Sequence, residues 1–249
     1  MPKLKNTDTT APKSADKDKI KEKTAELVAE LGELQELLYA ENKHAVLIVL
    51  QGMDASGKDS TVKSVFEAVN PMGCQVKSFK KPTEEEYSHD FLWRIHRNLP
   101  PKGMIQIFNR SQYEDFLVPY AHDLLDKKPL MSRLDHINNF EEMLHDAGTI
   151  ILKFFLHISK EEQEQRFKER LDTPSKNWKY KAADLDERKL WDKYADAYET
   201  IFDKCSPGHS PWLTVPADNK WYRNYIISEA IVERLRDLKM KYPKNTGAE

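Results

Sequence analysis

The chain reads as an α/β protein built on a five-stranded parallel, doubly wound sheet. Two observations carry this. Ala45–Gln51 (AVLIVLQ) is a continuous apolar run, the pattern of a strand buried on both faces. Further short runs follow at Gln75–Phe79, Met104–Phe108, Thr149–His157 and Trp212–Val215, and they alternate with helical patterns. Strands alternating with helices imply βαβ units and a parallel sheet.

In chain order, residues 1–18 are Lys-, Asp- and Thr-rich and carry too little apolar surface to order themselves, so a disordered arm is expected. From Ile20 to Ala40, Leu27, Leu31, Leu34, Leu37 and Leu38 recur at helical spacing and predict an amphipathic helix. A helix over Ser60–Val69 follows the first strand. Thr83 with Glu86, and Ser159 with Glu162, have capping-box spacing and mark helix starts. Gly148 stops a helix expected over Arg133–Asp146, and Ile226–Lys241 reads as the last helix. One domain over residues 19–241 is expected, with 242–249 as a tail.

A hydrophobic share of 39% can build a core, while 32% charged residues implies a well-solvated surface. No apolar run approaches the ~18 residues of a membrane span. The polar N-terminus is not a secretory signal, and Cys74 and Cys205 are too few for a disulfide framework or zinc site, so a cytoplasmic home is expected. A net charge of −2 excludes bulk binding of nucleic acid. A site for a phosphate-rich substrate must therefore concentrate Lys and Arg locally.

The segment with most chemistry is Gly52-Met53-Asp54-Ala55-Ser56-Gly57-Lys58-Asp59, directly after the first strand. Its glycines let backbone N–H groups turn in on a phosphate, the following helix adds its dipole, and Lys58 adds a charge. Gly52, Ala55, Ser56, Gly57 and Lys58 are the expected phosphate cradle. The residue after Lys58 is Asp59, where Ser or Thr is usual, and Asp54 lies within the loop. Carboxylates repel phosphates unless cations lie between them. The pair thus implies more than one Mg²⁺, and favours transfer between two phosphate chains over simple hydrolysis.

A second cluster follows the third strand: Asn109-Arg110-Ser111-Gln112-Tyr113-Glu114-Asp115. Strand ends of this kind meet the ligand in parallel sheets, and Arg110 can clamp a phosphate bidentately. Beyond the fourth strand, Arg166 and Arg170 share one helix face, Pro174 ends the helix, and a Lys-rich stretch runs on through Asp184 to Arg188. Such a segment can close over phosphates as a lid, about residues 160–190. Lys77, Lys80, Lys81, Arg94, Arg97 and Lys102 could line a track for an extended polyanion.

At these residues the chain resembles the second family of polyphosphate kinases, over about Ile20 to Leu238. The matching blocks are GMDASGKD (Gly52–Asp59), SHDFLWR (Ser88–Arg94), FNRSQYED (Phe108–Asp115), INNFEEML (Ile137–Leu144), LKFFLHISKEEQEQRFKER (Leu152–Arg170), PSKNWK (Pro174–Lys179) and PWLTVPADNK (Pro211–Lys220). The resemblance implies a P-loop kinase three-layer α/β/α sandwich with a helical lid. It implies polyphosphate as donor, ADP and AMP as acceptors, ATP as a product, and Mg²⁺.

Carried over by position, catalytic roles fall on Asp54, Lys58, Asp59, Arg110, Asp115 and Arg170, with metal at Asp54, Asp59 and Asp115. Further phosphate contacts are Lys80, Lys81, Arg166, Lys176 and Arg188. Asn109, Arg110, Tyr113, Glu114 and Asp184 are the nucleotide candidates. A homo-oligomer, dimer or tetramer, is also implied. Asn109 and Gln112, with Glu114-Asp115, depart from the Phe-Asp-Arg-Ser-Trp-Tyr version of the motif and look closer to members that use AMP as well as ADP. An ATP-dependent nucleoside monophosphate kinase and a P-loop nucleotide switch are the competing readings.

Overall fold

A computed structural model describes residues 3–175, 177–179 and 183–244, the side chains of 179 and 183–185 excepted. Five parallel strands form the sheet: β1 (Ala45–Gln51), β2 (Cys74–Ser78), β3 (Ile105–Asn109), β4 (Thr149–His157) and β5 (Trp212–Pro216), in the order β2-β3-β1-β4-β5. β1 and β4 span the residues expected, because both are buried on both faces and their apolar runs are unbroken. β2 lies at the sheet edge and is largely exposed.

Successive strand residues point to opposite faces, and the core divides accordingly. Leu47 and Val49 of β1 join Phe155 of β4 on one face. They pack against α5 (Glu114–Ala121), α6 (Lys127–Asp146) and α9 (Trp191–Lys204). Val46, Ile48 and Leu50 face α1 (Lys17–Glu41), α2 (Lys58–Val65) and α10 (Lys220–Arg236) on the other. The result is the three-layer α/β/α sandwich. β1 and β3 are neighbours whose following helices go to opposite faces, so a crevice opens at their carboxyl ends.

The remaining helices are α3 (Glu84–Tyr87), α4 (Trp93–His96), α7 (Lys160–Asp172) and α8 (Ala183–Lys189). At α3 both halves of the Thr83–Glu86 capping box form. At α7 only one does: Ser159 accepts from the Glu162 N–H, while the Glu162 carboxylate goes to Arg166. α6 starts six residues before the expected Arg133, since Pro129 sits in its first turn, where proline is tolerated. α10 likewise starts at Lys220 rather than Ile226. No helix among the described residues is long and apolar enough to cross a membrane.

The N-terminal arm departs from expectation. Leu4 is buried in the core, its N–H donates to Glu199 and its carbonyl faces the His157 ring nitrogen. Thr9 donates to Asp218 and accepts from its N–H, and the Ala11 N–H donates to Asn219. One leucine and a few polar partners fix residues 4–11 to the domain, despite a composition too polar to fold by itself.

Candidate active site

β1 delivers the chain into the phosphate loop at Gly52, whose φ of +148° leaves room for no side chain: a Cβ would lie 2.7 Å from the Leu156 carbonyl oxygen. Gly57 closes the loop at φ +102° as the cap of α2. Lys58, the first residue of α2, folds back so that its Nζ donates to the carbonyls of Gly52 (2.7 Å) and Met53 (3.2 Å). Burial, and then the charge of Arg110, pull its ammonium down to about 8.

Arg110 follows β3 in the left-handed region at φ +65°, a strained conformation for a side-chain-bearing residue. The turn brings its Nη2 to 2.6 Å from Asp54 Oδ1 and its Nη1 to 4.0 Å from Glu114. Burial pushes the Asp54 carboxyl up, but Arg110 and Lys58 outweigh it and hold it below the usual range; Arg170 acts in the same direction. Glu114 has the opposite balance. Its desolvation exceeds the help of Arg110 and Lys58, and its carboxyl is pushed up. Asn109 donates to Asp59 (2.8 Å), joining the end of β3 to the start of α2. Asp54, Arg110 and Glu114 line a cleft of about 270 Å³ with Gln163, Arg188, Tyr194 and Tyr198.

Several expected site residues lie elsewhere, each for a definable reason. Asp115 points away from the cleft that Glu114 lines, since neighbouring helical residues project about 100° apart. Its carboxylate pairs with Arg94 (2.8 Å) and its carbonyl accepts from Arg133, so it does not join Asp54 and Asp59. Tyr113 is fully buried under the sheet and donates to Glu141, itself paired with Lys153; no face of it is open to a nucleotide. Arg166 is buried behind the loop. Its five N–H groups go to Glu162, Ala55, Ser56, Ala217 and Asp218, which leaves none for phosphate.

Arg94, grouped with the basic track, is also buried and engaged with Asp115 and the Lys80 carbonyl. Lys80 and Lys81 themselves are exposed just after β2. Arg188 lines the cleft while holding Lys160, Gln163 and Glu164. Arg170 lies over the Phe167 ring at 5.5 Å. Lys176 and the side chain of Asp184 lie outside the described residues.

Residues that sequence reasoning passed over also shape the site. Tyr198 accepts from the Gly52 N–H, and Gln163 donates to the Asp54 carbonyl. Tyr194 donates to Glu187 at the cleft wall. Tyr194 and Tyr198 are four apart on α9, so helical spacing in WDKYADAYETIFDK held the signal.

A profile of the family described as polyphosphate kinase 2 matches residues 14–243, nearly the whole chain. The chain belongs to the polyphosphate kinase 2 family. An AMP/ADP-polyphosphate phosphotransferase of Meiothermus ruber is 52% identical over 223 residues, covering 90% of this chain and 84% of that protein. An ADP-polyphosphate phosphotransferase of Rhodopseudomonas palustris is 48% identical over 233 residues, or 89% and 81% of the two chains. The crystal structure of polyphosphate kinase 2 from Arthrobacter aurescens TC1 superposes with a TM-score of 0.95 at 42% identity, covering 98% of this chain and 88% of that one. Membership in the polyphosphate kinase 2 family makes the chain a kinase-type enzyme on a P-loop kinase fold.

Proposed function

We propose that this enzyme transfers the terminal phosphoryl group of inorganic polyphosphate to ADP and AMP, yielding ATP and ADP. The observation that carries the reading is the charge arrangement at one crevice. Lys58 and Arg110 face Asp54 and Glu114 at the mouth of a phosphate loop, in a chain 52% identical to a phosphotransferase named for both acceptors. Phosphoryl transfer asks mainly for positioning and charge stabilisation, and this cleft offers both.

Asp54 and Asp59 flank Lys58, and Asp54 is held ionised. That hard-oxygen set suits Mg²⁺, which takes one or two carboxylates and fills its shell with water and phosphate oxygens. Asp54 and Asp59 would hold two such ions, and their positive charge would offset the repulsion between donor and acceptor phosphates. Lys58 and the α2 N–H groups hold the donor phosphates, while Arg110 orients the group in flight against Asp54. Glu114, whose carboxyl burial pushes up, lines the cleft beside Arg110, whose charge would limit repulsion as an acceptor phosphate enters. Residues of about 160–190 close as a lid, with Arg170 adding charge as the transferring group becomes loose. Cytoplasmic residence and assembly as a dimer or tetramer complete the reading.

The competing ATP-dependent kinase reading is separated by exchanging donors. With AMP as acceptor and Mg²⁺ present, chromatography should detect ADP when polyphosphate is the sole donor. ADP formed with ATP as donor but never with polyphosphate would overturn the proposal, and no ADP from either donor would favour the switch.

A further inference from the structure

Arg223 lies in the first turn of α10 and is only 1% exposed. Its Nε and Nη2 both donate to one neutral acceptor, the Asn224 side-chain carbonyl, at 3.1 and 2.7 Å. Its Nη1 has no partner among the described residues. The charged group that acts on it is another guanidinium, Arg166, whose own N–H groups are all engaged. The two arginines thus differ in kind: Arg166 is a fastener, whereas Arg223 is a buried cation with an unused donor.

The position of that donor is informative. A Cβ built on Gly57 would lie 2.1 Å from Arg223 Nη1 and 3.3 Å from its Cζ. The guanidinium therefore rests against the phosphate loop at the residue before Lys58, in space that a glycine keeps open. It reaches the loop from the face of α1, α2 and α10, whereas the cleft of Arg110 and Glu114 opens on the side of α5 and α9. A buried charge without a counter-ion is costly. Burial, and then Arg166, pull this guanidinium down to about 9, far below its ordinary range. An anion on the loop would relieve that cost, and Nη1, unpaired but sealed from solvent against Gly57, would donate to it once the loop yields at that residue.

We propose that Arg223 is a phosphate-binding residue for the donor chain: its Nη1 donates to a non-bridging oxygen of polyphosphate seated on the loop, opposite the face that receives the nucleotide. The assignment rests on polyphosphate being the donor. It makes Arg223 a determinant of donor affinity that leaves acceptor binding alone.

Titration calorimetry of the full chain with polyphosphate, without nucleotide, tests this in the wild type, Arg223→Met and Arg223→Lys. The methionine should weaken polyphosphate binding by about tenfold or more, the scale of one charge-assisted hydrogen bond, and the lysine should restore part of it. Affinity for ADP should stay within about twofold, as expected of a contact that only the donor makes. The melting temperature without polyphosphate should hold or rise, since an uncompensated buried charge has been removed. Equal polyphosphate affinity in wild type and Arg223→Met would overturn the assignment. So would a fallen melting temperature with polyphosphate and ADP affinities reduced alike, the mark of a structural arginine. If the wild type binds no polyphosphate, the donor reading itself fails and takes this inference with it. Should the methionine variant not fold, Arg223→Gln serves the same comparison.

Discussion

Lys58 sits where two demands conflict. Phosphate binding needs its charge, but burial and Arg110 pull its ammonium down to about 8 in the free enzyme. As pH rises through that value the free enzyme loses the charge, so kcat/KM for polyphosphate should fall above about pH 8. A bound phosphate chain stabilises the ammonium, so kcat should hold to higher pH and binding near pH 8 should take up protons. Calorimetry in buffers of different ionisation enthalpy reads that uptake. A kcat/KM that stays flat up to the ordinary lysine value of 10.5 would contradict it. The two arginines of α7, Arg166 and Arg170, provide a second contrast. Arg166→Ala leaves buried carbonyls of the loop and of Ala217 and Asp218 without donors, and should cost about 2–4 kcal/mol of stability by urea unfolding. Arg170→Ala should leave stability nearly unchanged and lower kcat by about 10²-fold, since its charge acts on Asp54 and would meet charge developing in transfer. The reverse pattern would mean the roles are exchanged.

At the scale of elements, α5 and the segment after β2 are tied by one ion pair. Arg94 joins the Asp115 carboxylate to the Lys80 carbonyl, so the start of α5 and the exposed Lys80–Lys81 segment are held in register. Asp115→Asn should therefore cost about 1–3 kcal/mol of stability, the modest figure following from a carboxyl that burial already pushes up against the pull of Arg94. Its kinetic effect should fall on KM for polyphosphate, growing weaker with salt, with kcat reduced less than about tenfold. A loss of kcat of about 10³-fold with KM and stability intact would instead return Asp115 to the reacting phosphates. Another tie runs from the arm: Thr9 meets Asp218, whose carboxylate also accepts from the Ser159 N–H at the start of α7. α7 and the arm thus share one anchor.

For the whole molecule, sequence patterns were most readable where burial is complete. β1 and β4 could be bounded from their apolar runs, and the loop from its glycines and Lys58. Direction on a helix was harder to read. Glu114 and Asp115 are adjacent acids, and only the packing of Phe116 and Leu117 into the core decides which one meets the cleft. Tyr113 fell to the wrong side for the same reason, its ring drawn to the buried Glu141–Lys153 pair by residues far along the chain. The approach of Arg223 to the loop depends on the missing side chain at Gly57, which no spacing rule records. The order of the arm is not legible in composition, because one leucine and partners some 200 residues away do not register there. What the fold assembles from these parts is a crevice with donors and carboxylates on both sides of a phosphate loop. The most direct test is to mix the full-length enzyme with ADP, Mg²⁺ and long-chain polyphosphate, with no nucleoside triphosphate added, and follow ATP by luminescence. ATP should accumulate in proportion to the polyphosphate consumed, and Lys58→Ala should lower the rate by about 10²-fold or more. ATP that appears only when another nucleoside triphosphate is supplied would contradict the account.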